Sequence, residues 1–244
     1  PCNGQCDGDG GGGYAGASTA FGILALLSAG YTPVSGPEYY RESLCKAINW
    51  MMDYQNGAGG YHEDNSYPSY GTVEHLFAHY AMAEALAGMD MALAGSCAIG
   101  DGACSVDKHR LRTSVQMATD FTISERKPMN YADLGPWETK GCNSPVHNGG
   151  WHYHNHQDWG WSDVLTNPWG SMALKASQLG GIQFDAEELN IAEIATRGNG
   201  CECVFDQGEW LPRKFHYLSY GTINDNMNCG QLMTLLLLNG GRAG

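Results

Sequence analysis

The segment "GGWHYHNHQDWGW" holds three histidines at alternate positions, His152, His154 and His156. In an extended backbone, alternate side chains point to the same face, so the three imidazoles would lie side by side. Imidazole nitrogen is a preferred ligand of zinc and copper, so this spacing predicts a metal site. A surface loop rich in histidine and aromatic residues is the alternative, because local spacing alone does not give a metal its geometry.

A second pair of histidines lies in a stretch that is predicted to be helical. His75 and His79 are four residues apart and so share one helix face, and Glu74 lies beside them. Their order does not match the His-Glu-x-x-His motif of zinc proteases. Two interpretations stay open, namely a metal or catalytic role in a cavity, or hydrogen-bonded histidines in the core.

The N-terminal tract "CNGQCDGDGGGG" carries two carboxylates, Asp7 and Asp9, among glycines. Carboxylate and backbone carbonyl oxygens are the ligands that calcium prefers, so a calcium site is one interpretation. The rest of an EF-hand loop is missing, and a flexible linker held by Cys2 and Cys6 is the other interpretation.

The chain has nine cysteines, which is a high count for 244 residues. The stretch "SCAIGDGAC" indicates a small loop closed by Cys97 and Cys104, and Cys2 with Cys6 is a second close pair. None of the spacings matches a zinc ribbon or a haem-attachment motif. We expect several disulfides and an oxidising location: secreted, periplasmic or at the cell surface. Buried free thiols are the alternative.

Composition disfavours several classes of partner. The formal net charge of −13 argues against binding to nucleic acid or to an anionic membrane. No stretch reaches the ~18 consecutive apolar residues of a membrane span. Apolar residues make up 43% of the chain, which suffices for a sizeable core. Because the sequence starts at Pro1 rather than methionine, we expect a processed product or a fragment.

Seven main helices of two kinds are predicted. Four stretches have a glycine-bearing turn followed by a helix that is apolar nearly all round: 13–31, 69–89, 161–182 and 219–241. Three stretches between them are amphipathic: 38–55, 107–125 and 186–197. Inserts near 95–105 and 127–148, and short strand candidates near 151–156 and 202–205, interrupt the alternation.

Alternation of buried and half-exposed helices predicts an all-α fold, the α/α toroid, in which inner helices are ringed by outer helices. With seven helices, the ring is expected to be incomplete or open. Residues 1–12 form a separate segment rich in glycine and cysteine, and residues 13–244 form the domain.

The stretch "KAINWMMDYQNGAGGY" at 46–61 carries the residues of a known repeat. It has a small residue, an aromatic, Gln55, a glycine turn and then Tyr61. This order resembles the QW repeat of squalene cyclases and the related repeat of protein prenyltransferases. Weaker copies end in Trp151 and in "DQGEW" at 206–210. The resemblance implies a toroid in which Gln55, Tyr61 and Trp151 staple successive helix pairs, because glutamine can bond free backbone groups at helix ends.

Two departures from these families bear on function. The aspartate-rich acid motif of the squalene cyclases does not occur in the chain, and no zinc-ligand set like that of the prenyltransferases stands out. The helix at 161–182, in contrast, is similar to one in bacterial secreted or periplasmic proteins that carry such repeats. The resemblance therefore implies a fold and an exported location rather than either enzymatic activity.

In a toroid, the first turns of the inner helices meet at one end of the cavity. This end would gather aromatic, histidine, amide and carboxylate side chains: Tyr70, His75, Asp163, Trp169, Tyr220, Asn224 and Asp225. Glu74 and His79 would line the same cavity. Polysaccharide lyases of the toroid fold use tyrosine, histidine and asparagine to grip a sugar and move protons. The catalytic candidates are Tyr70, His75, Tyr220 and Asp225.

The same end allows two further interpretations. Asp158 or Asp163 could form the acid pair of a glycoside hydrolase with Asp225. Tyr70 and Tyr220 precede matching glycines, so they also fit a purely structural role as turn residues of the repeat.

Three functions follow from these patterns. The first is an exported, disulfide-stabilised domain with a binding or assembly role, whose partners would be glycans, other copies of itself or cell-surface proteins. The second is a polysaccharide lyase or glycoside hydrolase, and the third is a divergent relative of the terpenoid cyclases. Calcium and zinc or copper are the only cofactors that these residues suggest.

Overall fold

A computed structural model describes most of the chain between Ala15 and Phe215. The described residues are 15–62, 71–93, 104–126, 149–152, 166–198, 200–206 and 209–215. The predicted inner helix at 219–241 lies outside them.

The described residues form six helices and one hairpin of two strands. The helices are α1 (Ala15–Ser28), α2 (Glu38–Tyr54), α3 (Gly71–Leu93), α4 (Lys108–Ser124), α5 (Thr166–Leu179) and α6 (Glu187–Gly198). The antiparallel strands are β1 (Gly200–Asp206) and β2 (Glu209–Phe215). The predicted helical class is thereby confirmed for the described residues apart from this hairpin, whose first strand contains the candidate near 202–205.

The helices form two rows. In the first row α3 lies between α1 and α5, and in the second row α2, α4 and α6 pack behind them. The helices of the first row run in the same direction. Helices α1 and α3 begin together, where the Gly16 amide bonds Glu74 (2.7 Å), and end together near Thr32 and Gly88, while Gly180 at the end of α5 lies against Leu86 near the end of α3. Along the described part of the chain, helices of the two rows alternate; the row of α1, α3 and α5 is called the inner row below, and the row of α2, α4 and α6 the outer row.

The helices of the inner row differ in how much of each is buried. Between residues 71 and 89, α3 is buried except along one stripe at helical spacing, which consists of Val73, Phe77, Tyr80, Glu84 and Gly88. Helix α1 was expected to be buried on most sides, but only Gly16, Ala17, Ala20 and Ile23 are buried. The reason is its position: among the described residues α1 packs mainly against α2 and α3, whereas α5, also at an end of the row, packs against α3, α4 and α6.

Helix ends follow the sequence signals in part. Asp107 caps α4 by accepting hydrogen bonds from the amides of His109 (2.9 Å) and Arg110 (3.2 Å), as its residue type predicts. Gly30 has the left-handed backbone expected after α1 (φ 83°). Gly88, expected at a helix end, lies inside α3 instead, which continues to Leu93.

Covalent and ionic contacts tie the outer row together. A disulfide joins Cys45 of α2 to Cys104, just before α4, with a Cα–Cα distance of 5.9 Å. An ion pair joins Asp53 to Arg110, and another joins Arg126 to Glu188 at the start of α6.

This disulfide corrects the pairing of Cys104 with Cys97. The short spacing of those two cysteines suggested a local loop, but the fold places Cys104 against α2, so its sulfur is already bonded. Cys97, Cys2 and Cys6 lie outside the described residues.

Replacing Cys45 and Cys104 together by alanine is expected to lower the free energy of unfolding by about 2–4 kcal/mol. The bond closes a loop between residues that are 59 apart, and opening it frees the unfolded chain. Urea unfolding with and without reductant measures the effect. Reductant should move the wild-type midpoint towards that of the double variant, and it should shift the variant less, because the variant lacks this bond; a fully reduced wild type with an unshifted midpoint would contradict the expectation.

Candidate functional site

The turn after α2 is fastened to α4 by a glutamine and a tyrosine. Gln55 Nε2 donates to the carbonyl oxygens of Gly59 and Ser114, both at 2.9 Å. The Ser114 hydroxyl donates to Gln55 Oε1 (2.7 Å), so the Tyr61 hydroxyl is the donor of its 2.7 Å bond to Ser114. Gln55 and Tyr61 thus join the first helix pair to the second, at the place where the repeat pattern has its staple.

The backbone of the same turn is held by one asparagine and needs glycine at one position. Asn56 Oδ1 accepts from the amides of Ala58 (3.0 Å) and Gly60 (2.9 Å). Gly59 has φ 97° and faces the backbone of Met117 in α4. A side chain at Gly59 would be strained by this φ and would meet a carbonyl group that cannot move aside.

His75 of α3 contacts this turn through a hydrogen bond. The Tyr61 amide donates to His75 Nδ1 (3.1 Å), so this nitrogen carries no proton and the neutral ring is protonated at Nε2. Nε2 in turn lies 2.8 Å from the Thr122 hydroxyl of α4. One imidazole therefore links the α2–α3 turn, α3 and α4.

His79 extends the polar chain to α5. Its Nδ1 lies 2.7 Å from the Thr122 hydroxyl, and its Nε2 lies 2.9 Å from Ser177 and 3.1 Å from Thr119. All of these side chains are buried. The chain of hydrogen bonds thus crosses the middle of the helix array from α4 to α5.

Burial is the main influence on the pKa values of the side chains in this hydrogen-bond network. It lowers the pKa of His79 to about 3 and lowers the pKa of His75 well below its usual value. For His75 the neighbouring His79 and His62 lower the pKa further, while a hydrogen bond to the Ala118 backbone opposes them. Burial also raises the pKa of Tyr61, although its bond to Ser114 works against the rise. Both histidines are neutral at pH 7.

The second turn repeats the first with other residue types. The Trp151 amide donates to Asn167 Oδ1 (2.8 Å), and its indole Nε1 donates to the Thr122 carbonyl oxygen (2.7 Å). Both turns begin with a glycine of positive φ, Gly59 at 97° and Gly149 at 91°. His75 and Asn167 each lie thirteen residues before a glycine, at positions 88 and 180. They are therefore equivalent acceptors for the amide of the turn aromatic.

Glu74 holds the beginning of α1. Its Oε1 accepts from the Gly16 amide (2.7 Å) and from the Tyr54 hydroxyl (3.2 Å). Burial raises the pKa of this carboxyl, more than its bonds to Gly16, Tyr54 and the Ala17 backbone lower it. The second oxygen, Oε2, is buried without a hydrogen-bond partner among the described residues. Glu74 thus serves the N-terminus of α1, where a carboxylate is favourable.

Replacing Gly16 by alanine is expected to destabilise the protein by about 1–3 kcal/mol, because a β-carbon there would crowd buried groups. It would lie 2.8 Å from Glu74 Oε1 and 2.9 Å from a ring carbon of Tyr54. Gly22 is the matched control on the same helix, since its β-carbon would meet nothing within 4 Å. Alanine at Gly22 should stabilise by about 0.5–1 kcal/mol. Thermal unfolding measures the stability of both variants. Equal changes in stability would show that the contacts with Glu74 and Tyr54 do not require glycine at position 16.

Aromatic rings from all three inner helices meet on the open side of the inner row. The ring centroid of Phe77 lies 4.8 Å from that of Phe21 and 4.4 Å from that of Trp169. Phe21 and Trp169 are 6.3 Å apart, so α1 and α5 meet across α3. Tyr80, also against Trp169, hydrogen-bonds Glu84, and burial raises the pKa of both groups, that of Tyr80 to about 12.

Sequence reasoning identified only Trp169 of this aromatic group. Phe77, Tyr80 and Glu84 recur at helical spacing, which is the available signal for a shared face. In a helix that is apolar nearly all round, however, no polar face marks which stripe is left open. Phe21 could not be singled out for the same reason.

The other residues singled out from sequence are placed as follows. His152 is buried beside Trp151. His154, His156, Tyr70, Asp158, Asp163, Tyr220, Asn224, Asp225, Asp7 and Asp9 lie outside the described residues. Within the described ranges, no three histidine, cysteine or acidic side chains are arranged to hold a metal ion.

Comparison with protein-family models, with curated proteins and with solved structures found no match. None of the described helices combines the length and apolar character needed to cross a membrane.

Proposed function

We propose that this chain is a domain of an exported protein that works in binding or assembly, without chemistry of its own, and that its helices belong to an α/α toroid. The toroid is supported by the parallel inner row and by its curvature, which brings Phe21 and Trp169 together across α3. An exported location is supported by the disulfide between Cys45 and Cys104, since such bonds persist in oxidising compartments.

The observation that carries this proposal is the apolar surface of the first helix pair. We call it the α1–α2 surface and define it by its exposed large side chains, Phe21, Tyr39, Tyr40 and Trp50. Helix α1 has no charged residue. Among the residues whose side-chain exposure is described, which leaves out the hairpin, the one other exposed large apolar side chain is Leu179 at the end of α5.

Among the described residues, α1 and α2 lie at the end of the helix array, and exposed apolar side chains there favour a covering partner. Repeat arrays stay soluble when their end helices present polar outer faces, whereas α1 carries no charge and α2 exposes three large aromatic side chains beside its charged residues. Tyrosine and tryptophan are the side chains that most often dominate protein interfaces. The partner that fits is therefore a protein surface: another copy of this chain or a cell-surface protein.

The polar residues of the inner helices support a role without catalysis. Both ring nitrogens of His75 and of His79 already have hydrogen-bond partners within the core. Glu74 is engaged at the start of α1. These side chains hold the array together, so neither His75 nor His79 has a ring nitrogen left over for a catalytic base.

Exchanging Tyr39 and Trp50 for serine is expected to weaken self-association at least tenfold, since truncating an interface aromatic costs about 2 kcal/mol or more. Sedimentation velocity over a range of protein concentrations measures this. Leu179→Ser is the matched control, because it removes an exposed apolar side chain elsewhere. A wild type that stays monomeric and binds no cell-surface protein would contradict the proposal.

A second candidate is glycan binding at the inner aromatic rings. It is favoured by the pair of Tyr80 and Glu84 beside Trp169, which offers a ring for stacking and oxygens for a sugar hydroxyl. A glycan array on wild type and Trp169→Ala tests it. A lyase assay, read from the near-ultraviolet absorbance of unsaturated products, tests the enzymatic alternative that involves Tyr70, Tyr220 and Asp225.

A further inference from the structure

The two aromatic turns differ in one chemical respect. At the first turn, the Tyr61 amide is accepted by an imidazole nitrogen of His75, at 3.1 Å. At the second turn, the Trp151 amide is accepted by the amide oxygen of Asn167, at 2.8 Å. An imidazole nitrogen can be protonated in mild acid, whereas an amide oxygen cannot.

Protonation of His75 is incompatible with the bond that it accepts. A proton on Nδ1 would point at the Tyr61 N–H, so the two donors would face each other and the bond would have to break. The ring cannot turn to a better partner, because Nε2 is committed to Thr122 and the side chain is buried. Tyr61 would then lose the contact that holds its backbone on α3.

The surroundings of His75 offer no compensation for a positive charge. The titratable groups that face it are His62, His79 and the phenol of Tyr61, whose ring stacks on it. Helix α4 contributes uncharged groups: the Thr122 hydroxyl, the ring of Phe121 and the backbone of Ala118. Glu74, the next residue in α3, directs its Oε1 to α1.

We propose that mild acid opens the turn between α2 and α3 at Tyr61, through His75, while the equivalent turn at Trp151 stays closed. The low pKa of His75 in the closed turn agrees with this, since an imidazole that is hard to protonate when closed gains a proton when open. The turn at Tyr61 is therefore sensitive to acid, and the turn at Trp151 is not.

Amide hydrogen exchange of Tyr61 and Trp151, followed by NMR between neutral pH and about pH 4.5, tests the proposal. Once corrected for the intrinsic exchange rate, the protection of Tyr61 should fall up to about tenfold per pH unit below ~6.5, relative to Trp151. Unchanged protection of the Tyr61 amide, or an equal fall in protection at both amides, would overturn the proposal.

Exchanging the two acceptors provides the matched variants. His75→Asn should make the protection of Tyr61 independent of pH, and Asn167→His should transfer the pH dependence to Trp151. Should His75→Asn fail to fold, the wild-type comparison and Asn167→His still decide. A fall at Tyr61 that persists in a folded His75→Asn protein would also overturn the proposal.

Discussion

Replacing Gly59 by alanine is expected to destabilise the protein by about 3 kcal/mol or more, the sum of backbone strain and steric conflict. Gly59 has φ 97°, a conformation that alanine adopts only with strain. Its β-carbon would also lie 2.8 Å from the carbonyl carbon of Met117, which belongs to the backbone of α4 and cannot yield. The whole junction between the first two helix pairs would have to move apart.

The same turn contains the control. Gly57 lies two residues earlier, and a β-carbon there would meet nothing within 4 Å. Gly57→Ala should therefore change stability by no more than about 0.5 kcal/mol. Urea unfolding followed by circular dichroism compares the two variants. If both variants unfold at the same urea concentration, the close contact between the turn and α4 does not require glycine at position 59.

Acid is expected to destabilise the folded protein as a whole, in addition to opening the turn at Tyr61, and His79 is one of the causes. Burial lowers the pKa of His79 from 6.5 to about 3 in the folded state, so the unfolded chain binds a proton first. Its stabilising contribution is complete above pH 6.5 and is lost as the pH falls towards 3. By linkage the loss from His79 alone is on the order of 2 kcal/mol by pH 5, and His75 acts with the same sign.

Two carboxyl groups act in the opposite direction. Burial raises the pKa of Glu74 and of Glu84 above 4.5, so the stability that they contribute is present at low pH and is lost as the pH rises. Just above pH 4.5 they therefore offset part of the loss from the histidines. The net slope of unfolding free energy against pH remains positive, because two buried imidazoles outweigh carboxyl groups whose pKa shifts are smaller.

A His79 variant isolates the contribution of this histidine to the pH dependence of the unfolding free energy. His79→Gln keeps groups that can bond Thr122 and Ser177, and it should reduce the slope between about pH 6 and pH 4 by about 1.4 kcal/mol per pH unit. The exposed His109 is the matched control, and His109→Gln should leave the slope unchanged. A slope that is the same in all three proteins would assign the acid sensitivity to other groups.

Local patterns were sufficient to predict the helices. The amphipathic stretches at 38–55, 107–125 and 186–197 correspond to α2, α4 and α6, whose bounds differ from these by at most one residue at either end. The periodicity of apolar residues carries this information because it is set by the helix itself. Apolar residues all round the helix also predicted the burial of most of α3, but the same pattern was not sufficient for α1, whose burial depends on which helices pack against it.

Features that depend on distant residues could not be predicted. Cys104 has a cysteine seven residues away, yet its partner Cys45 is on another helix. The spacing of His75 and His79 fits a catalytic site as well as a core; only the position of Thr122 and of the Tyr61 amide shows that their nitrogens are engaged. The sequence also does not reveal that two positions are structurally equivalent when their residue types differ, as they do at His75 and Asn167.

The disulfide between Cys45 and Cys104 also has a topological meaning. All of α3 lies between the two cysteines, so the central helix belongs to a covalently closed ring of the chain. A protease that cuts once within this ring cannot release a fragment, because both halves stay attached through sulfur until a reductant separates them. Cleavage there leaves a nicked molecule in which α3 remains tethered to both of its neighbours.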